Sequence, residues 1–463
     1  MLPLRQKSYK DSNNRFRSKS ETAFFRRGNT RIGNKLLSDQ SVRTWAGPVQ
    51  MIRNTSPAAS LRLSHATAAT APPARDRRFL CLDDFERAAR SRLPRMLYGF
   101  VAGGAEEQAS LRDNRAAFAE LRFLPRILAD VSARSQATSL FGRPQAHPFG
   151  IAPMGLTGIC AFEADLLLAR AAAEVRIPMV LSATSIIPME QIRAAAPDTW
   201  MQAYLPAETD RIDGFLQRVA DAGFETLVLT ADVPVAANRE HNIRNGFDLP
   251  LRPGPRLFWQ GATHPRWLLG TVLRTLARRG MPHFENMDRH RGPPVVSPAA
   301  VRALGRRDAL SWVSFEFIRA RWRGKLLIKG VLSPRDARIA SEAGADGIIV
   351  SNHGGRQLDG AVSPLRALPA IAAEAKGLPI LFDSGIRRGS DVLKALALGA
   401  DFVFLGRPFL FAAAAAGAAG IRRAIAILAE EIDRDMALLG VTAPSMVTPD
   451  YLAAATPPFG GRG

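Results

Sequence analysis

Cysteine is nearly absent from this 463-residue chain: Cys81 and Cys160 are the only two. A disulfide framework is therefore excluded, and no CxxC pair or His/Cys cluster has zinc-ligand spacing. The longest uninterrupted apolar run, residues 409–420, is a dozen long. A bilayer-crossing helix needs roughly 20, so none is expected. Acidic residues are also short, 42 against 62 Lys and Arg, which leaves a net charge of +20. That imbalance is local, because residues 1–78 hold 16 basic and 4 acidic side chains and carry +12 of it. The extreme pI thus says little about the rest of the chain.

Residues 1–78 show no sustained apolar periodicity and end in ATAATAPPARDRR, so they read as a disordered basic leader. The composition fits a mitochondrial transit peptide, a nucleic-acid-binding tail, or upstream sequence miscalled ahead of a start at Met51. Nucleic acid is not an expected partner of the remaining chain, 79–463.

From Phe79 onward, short β-branched and apolar runs alternate with Ala/Leu/Arg-rich helical segments. Eight such runs occur: PFGIAPMG (148–155), PMVLSATS (178–185), TWMQAYL (199–205), TLVLTADV (226–233), KLLIKGV (325–331), GIIVSNH (347–353), PILFDSG (379–385) and FVFLGRP (402–408). Eight parallel βα units predict a TIM (β/α)8 barrel. Almost a hundred residues separate the fourth run from the fifth, which predicts an insertion at about 250–297. This segment is basic, with 8 Arg and 2 acids. Residues 265–279 read as an amphipathic helix with Leu268, Leu269, Val272, Leu273 and Leu276 on one face. Such a stripe packs on the barrel or lies on a membrane surface. The helix after the seventh run is the best marked, with Ser390 as N-cap, an apolar face to Leu398 and a stop at Gly399.

A TIM barrel carries its active site at the C-terminal strand ends. Here those ends read Ser182 and Thr184, Gln202 and Tyr204, Thr230 and Asp232, Lys329, then Ser351, Asn352 and His353, then Asp383, then Gly406 and Arg407. The last two turns, DSGIRRGSD and LGRP, pair Gly385 and Gly406 with Arg387 and Arg407, a combination suited to a phosphate dianion. Lys329 closes an apolar strand, where its charge demands an anion or polar ligand. A carboxylate partner or an electron-rich cofactor ring would each serve. SNHGGRQLDG places His353 beside Arg356 and, across the barrel, Asp232: a base, a carboxylate clamp and an acid to support an imidazolium.

SNHGGRQLDG, DSGIRRGSDVLKALALGAD and LGRP together resemble the FMN-dependent L-2-hydroxy acid dehydrogenases and oxidases, over residues 79–452. The resemblance implies FMN as cofactor, a 2-hydroxy acid as substrate and a 2-oxo acid as product. It makes His353 the base and Asp232 its support. Arg239 and Arg356 would bind the substrate carboxylate and Tyr204 would hydrogen-bond the substrate. Lys329 would face the flavin N1/O2 edge. Ser182, Gln202 and Thr230 would contact the isoalloxazine, with Pro153, Met154, Gly155 and Ser351 also at the cofactor. Asp383, Gly385, Arg387, Gly406 and Arg407 would hold the ribityl phosphate.

APMGLTG (152–158), THPRW (263–267) and RGMPHFENM (279–287) are most similar to the membrane-associated lactate and mandelate dehydrogenases. Gly155 stands where several oxidases have Ala, which implies a quinone or similar acceptor rather than oxygen. A homo-oligomer is expected, in the cytoplasm, with peripheral contact of residues 255–285 at the inner face of the plasma membrane; a transit peptide would instead imply a mitochondrial location. One position departs from the family: MLYGFVAGGAEE puts Phe100 where an active-site Tyr is expected. That removes one hydroxyl from the substrate carboxylate; the alternative readings are an oxygen-using 2-hydroxy acid oxidase and, because of Phe100, a flavin-binding homologue of low activity.

Overall fold

A computed structural model describes residues 78–454, apart from 248–249, 252–253, 300–306 and 376. The basic leader up to residue 77 lies outside the described residues.

All eight apolar runs form strands: β1 (Phe149–Ile151), β2 (Val180–Ser182), β3 (Trp200–Ala203), β4 (Thr226–Thr230), β5 (Lys325–Val331), β6 (Gly347–Val350), β7 (Ile380–Asp383) and β8 (Phe402–Leu405). Each pairs in parallel with its neighbour, in the order β1-β8-β7-β6-β5-β4-β3-β2. The ring closes where Ile151 bridges Met179 and the Ile151 amide donates to the Pro178 carbonyl at 2.9 Å.

Strand residues alternate between two apolar environments, which is why the strands read as continuous hydrophobic runs. Val180, Trp200, Val228, Leu327, Ile349, Leu381 and Phe404 fill the barrel interior. Leu181, Met201, Leu227, Ile328, Ile348, Phe382 and Val403 face the surrounding helices. A short hairpin, Thr138–Leu140 with Arg143–Gln145, carries Leu140 and Phe141 onto the inner cluster.

The helix after β7 spans Gly389–Ala397 and starts two residues earlier than expected, with Arg388 rather than Ser390 as N-cap. Asp391 at its third position accepts from the amides of Arg387 and Arg388, a stronger anchor than a serine hydroxyl. Gly399, at φ +106°, ends it as expected. The final helical run, Arg407–Leu439, is longer than the apolar run that seeds it. By length and composition it could cross a bilayer, which the sequence reading had excluded. Most of its apolar stretch is instead buried in the protein, against Leu82–Arg92 and Ala164–Glu174, and it bends at Gly417.

The insertion departs from the expected amphipathic picture. Its chain is helical over 265–279, but π-helical from Leu268 to Leu273. The face on the barrel is Trp267, Thr271 and Thr275, and the Trp267 indole donates to the Ile159 carbonyl at 2.8 Å. Leu269, Leu273 and Leu276 point outward, alongside Phe258 and Trp259 of the preceding helix Pro255–Ala262. The wider π-turn shifts the residues that meet the barrel, so one leucine stripe does not stay on one side.

Candidate active site

A cavity of about 890 Å³ opens at the C-terminal ends of the strands. The β6 end delivers His353 through a left-handed turn: His353, Gly354 and Gly355 all have φ between +58° and +71°. Gly355 has no alternative, because a Cβ there would lie 2.6 Å from the Leu111 amide nitrogen. His353 itself is a non-glycine residue in that region, held by its amide donating to Ser351 Oγ at 3.0 Å.

His353 Nδ1 lies 3.0 Å from Asp232 Oδ1. The His353 ring that bonds it and the Lys329 ammonium outweigh the burial that would raise the Asp232 carboxyl, so it is held below its usual range. An ionised carboxylate only accepts; Nδ1 therefore carries the proton and Nε2 keeps its lone pair. Nε2 faces the Tyr204 hydroxyl at 3.4 Å. Burial pulls the His353 pKa down, with Lys329 assisting and Asp232 opposing. The imidazole is poised as a neutral base.

Lys329 is 3% exposed. Its ammonium donates to Ser351 Oγ at 2.8 Å and pairs with Asp383 at 3.2 Å. Burial works against its charge, but Asp383 and Asp232 more than offset it and the pKa rises. Both readings of Lys329 are thus met at once: it has a carboxylate partner and it also lines the cavity. Behind it, Ser182 donates to Gln202 at 3.1 Å and Gln202 to Thr230 at 2.9 Å. Thr230 reaches the cavity wall, whereas Ser182, Gln202 and Ser351 form the layer behind.

On the opposite rim, Arg356 is clamped by the carbonyls of Phe100 (2.6 Å) and Gly103 (3.1 Å). Arg239 is held by the Arg356 carbonyl (3.0 Å) and Gln357 (2.8 Å). Burial first, then Arg239 and Arg407, lowers the Arg356 pKa well below normal. Two guanidiniums facing one pocket, with no carboxylate bonded to either among the described residues, can receive an anionic group.

A second cationic pair lies beneath β7 and β8. Arg407 bonds the carbonyls of Val101, Gly103 and Gly354, and burial, then the charge of Arg387, pulls its guanidinium down to about 9. Burial likewise lowers Arg387. Gly385 and Gly406 complete this end of the cavity. Asp383 is not part of the anion site in a direct sense, since it faces Lys329 and accepts from Ser384 at 2.8 Å. Pro153, Met154 and Gly155 form a third wall, where a Cβ on Gly155 would lie 2.2 Å from Thr184 Oγ1.

These features fit FMN: two half-buried arginines beside Gly385 and Gly406 for the phosphate, a wall at Gly155 with no side chain, and the buried Lys329 ammonium on the cavity lining. Two residues that sequence reasoning missed also line the cavity. Arg307, which follows the insertion, lies 4.7 Å from the Tyr204 ring centroid, and Phe247 stacks on Phe100 at 4.2 Å. Neither sits in a motif or at a strand end, so no local signal marked them.

Relatives carry the same architecture. The chain is 39% identical to (S)-mandelate dehydrogenase of Pseudomonas putida over 372 residues, 80% of this chain and 93% of that protein. It is 41% identical to L-lactate dehydrogenase of Xanthomonas campestris pv. campestris (strain B100) over 378 residues, 81% of this chain and 96% of that one. A solved structure described as the monotopic membrane protein (S)-mandelate dehydrogenase superposes with a TM-score of 0.75 at 38% identity, covering 81% of this chain and all of that one. The model of the FMN-dependent dehydrogenases matches residues 89–454. With the barrel, the His353–Asp232 pair and the two arginine pairs in place, the chain belongs to the FMN-dependent dehydrogenase family.

Proposed function

We propose that this protein oxidises an L-2-hydroxy acid, lactate- or mandelate-like, to the 2-oxo acid and passes the electrons to a membrane quinone. The observation that carries the reading is the placement of a neutral His353 Nε2 and the Arg239/Arg356 pair around one cavity. Arg239 and Arg356 bind the carboxylate, which fixes the α-carbon. His353 Nε2 takes a proton from the substrate, and Asp232 stabilises the imidazolium that results. Tyr204, kept protonated by burial, donates a hydrogen bond to the substrate oxygen. FMN, held by Arg387, Arg407, Gly385 and Gly406, supplies the two-electron acceptor. Lys329 places a fixed positive charge where negative charge gathers on reduction.

Membrane attachment rests on the insertion. Phe258, Trp259, Leu269, Leu273 and Leu276 are all exposed, and Arg266 and Arg278 lie exposed among them. An apolar surface ringed by arginine suits the interface of an anionic bilayer, and we assign it to the cytoplasmic leaflet. Trp267, buried against the barrel, is not part of that surface. Arg274 stacks on Phe162 and Arg279 is paired with Glu163, so these two serve packing.

Anaerobic addition of a panel of L-2-hydroxy acids to the FMN-loaded protein tests the reading. Bleaching of the flavin by at least one acid is expected. A folded, yellow protein that no 2-hydroxy acid bleaches overturns it in favour of a flavin-binding homologue.

A further inference from the structure

A second cavity, about 440 Å³, lies between the insertion and the loops that follow β1 and β2. Its inner wall is Gly158, Ile186 and Ile187. The same two loops turn Gly155 and Thr184 toward the FMN cavity. They pack directly on each other: a Cβ on Gly158 would lie 2.6 Å from Ile186 Cδ1, as one on Gly155 would collide with Thr184. A single layer of loop therefore separates the two cavities.

The outer wall is polar and comes from the insertion. Thr275 is 8% exposed and its hydroxyl has no hydrogen-bond partner. A buried hydroxyl left unpaired is costly, so it marks a place where a ligand acceptor belongs. Arg279 is fixed by Gln191 at 2.8 Å and by Glu163. Arg291 Nε is paired with the buried Glu285 at 2.9 Å. Only Arg278 of the three lining guanidiniums has no carboxylate paired with it among the described residues. Met281, 43% exposed, stands at the edge just beyond Leu276 of the outward apolar face.

We propose that this cavity receives the head group of a lipid-soluble quinone, an assignment that rests on the quinone-acceptor reading above. A quinone ring is flat, neutral and carries two carbonyl acceptors. Ile186, Ile187 and Pro188 offer it an apolar wall, while Thr275, Arg278 and Arg279 offer donors. Its tail leaves past Met281 toward the surface assigned to the bilayer. An anionic lipid head group fits less well, because Glu163 and Glu285 neutralise two of the three guanidiniums. The redox balance closes with the quinone as oxidant. It takes two electrons from the reduced flavin across the loop layer; the two protons of the oxidised acid, one held on the His353 imidazolium and one on the flavin, are released, and the quinone takes up two protons at the Glu285 edge to become hydroquinone.

The test uses the full FMN-loaded chain in nanodiscs of phosphatidylcholine and phosphatidylglycerol, with decyl-benzoquinone as probe. Thr275→Val removes the unpaired hydroxyl without a change of shape. Met281→Trp narrows the opening at an exposed position on which folding does not depend. In both variants bleaching by the hydroxy acid and reoxidation by ferricyanide should be unchanged, while KM for the quinone rises roughly tenfold, about one hydrogen bond's worth. Independently, an azidoquinone should photolabel residues 275–291 of the FMN-free chain, and Met281→Trp should abolish the label. Unchanged quinone KM in both variants, or labelling elsewhere, overturns the site. Reduced vesicle binding with unchanged quinone KM overturns it in favour of a lipid head group. If the parent protein is bleached by the acid yet not reoxidised by any quinone, the acceptor reading fails, and this site with it.

Discussion

The Phe100 ring stacks on Phe247 with centroids 4.2 Å apart and planes 26° from parallel, and the Arg356 guanidinium lies 5.0 Å from the same ring. An apolar edge thus borders the arginine proposed to receive the substrate carboxylate. Phe100→Tyr should add a hydrogen bond to that carboxylate and tighten binding of small 2-hydroxy acids up to about tenfold, near 1.4 kcal/mol. Bleaching at saturating acid should change less, since the contact exists before the transition state as well as in it. Dissociation constants for small and aromatic acids check this. Weaker binding of every acid would mean that the Phe247 stack leaves the new hydroxyl buried without a partner.

His353 sets the acid limb of the pH profile. The neutral imidazole is the reacting form, so kcat/KM rises as pH climbs through its pKa. Burial holds that pKa below the ordinary 6.5, which places the limb on the acid side of 6.5 and leaves the rate level above it. Asp232→Asn removes a charge that raises the His353 pKa. The limb should move further toward acid while kcat falls about a hundredfold, because the imidazolium loses its counter-charge. Stopped-flow flavin reduction across pH measures both, and a limb that moves toward neutral pH would contradict the arrangement.

Asp165 is buried beside Ser185, which donates to it at 2.6 Å. Burial raises its carboxyl to about 6 from 3.8, the hydrogen bond from Ser185 opposing. Because the folded pKa lies above the unfolded one, this group penalises the fold as pH rises from about 4 to 6, by up to about 3 kcal/mol once fully ionised. Asp165→Asn should therefore raise Tm at pH 8 and leave it nearly unchanged at pH 4. Equal Tm shifts at the two pH values would show that the side chain does not titrate in this window.

Leu269, Leu273 and Leu276 make no barrel core, so replacing all three with Ser should leave Tm and FMN content unchanged. Co-sedimentation with anionic vesicles should fall at least about tenfold, since each buried leucine is worth roughly 1.5–3 kcal/mol. Trp267→Ala, by contrast, should lower Tm, because that indole is 5% exposed and bonded to Ile159. Vesicle binding that survives the triple substitution would assign the exposed face to another partner.

The barrel was legible because each strand is buried on both faces, so its composition alone announces it. His353, Asp232, Lys329 and Arg407 stood out for a related reason: they follow or close apolar runs at one end, where burial of a charge needs a partner; Arg356 and Arg387 stood out in the Gly-rich turns beyond, and Arg239 came only from the family resemblance. The insertion was misread because helical periodicity assumes an α-helix, and the π-turn at Leu268–Leu273 rotates the residues that follow. Arg307 and Phe247 escaped because tertiary folding brings them to Tyr204 and Phe100 from loops with no periodic signal. Ser390 is not the cap because Asp391, one residue on, accepts from the amides of Arg387 and Arg388 and so starts the helix at Gly389.

Arg387, itself near Asp83, depresses the pKa of Arg407 at the ends of β7 and β8, and no carboxylate is bonded to Arg407 among the described residues. Two like charges confined together are a load that the chain bears until a dianion arrives. The cofactor is then a counter-ion for folding as much as a reagent, and the gain in stability on loading is largest in this corner of the barrel. Chain made faster than flavin is supplied would remain in the strained form, open most readily around β7 and β8, and be cleared by proteases first.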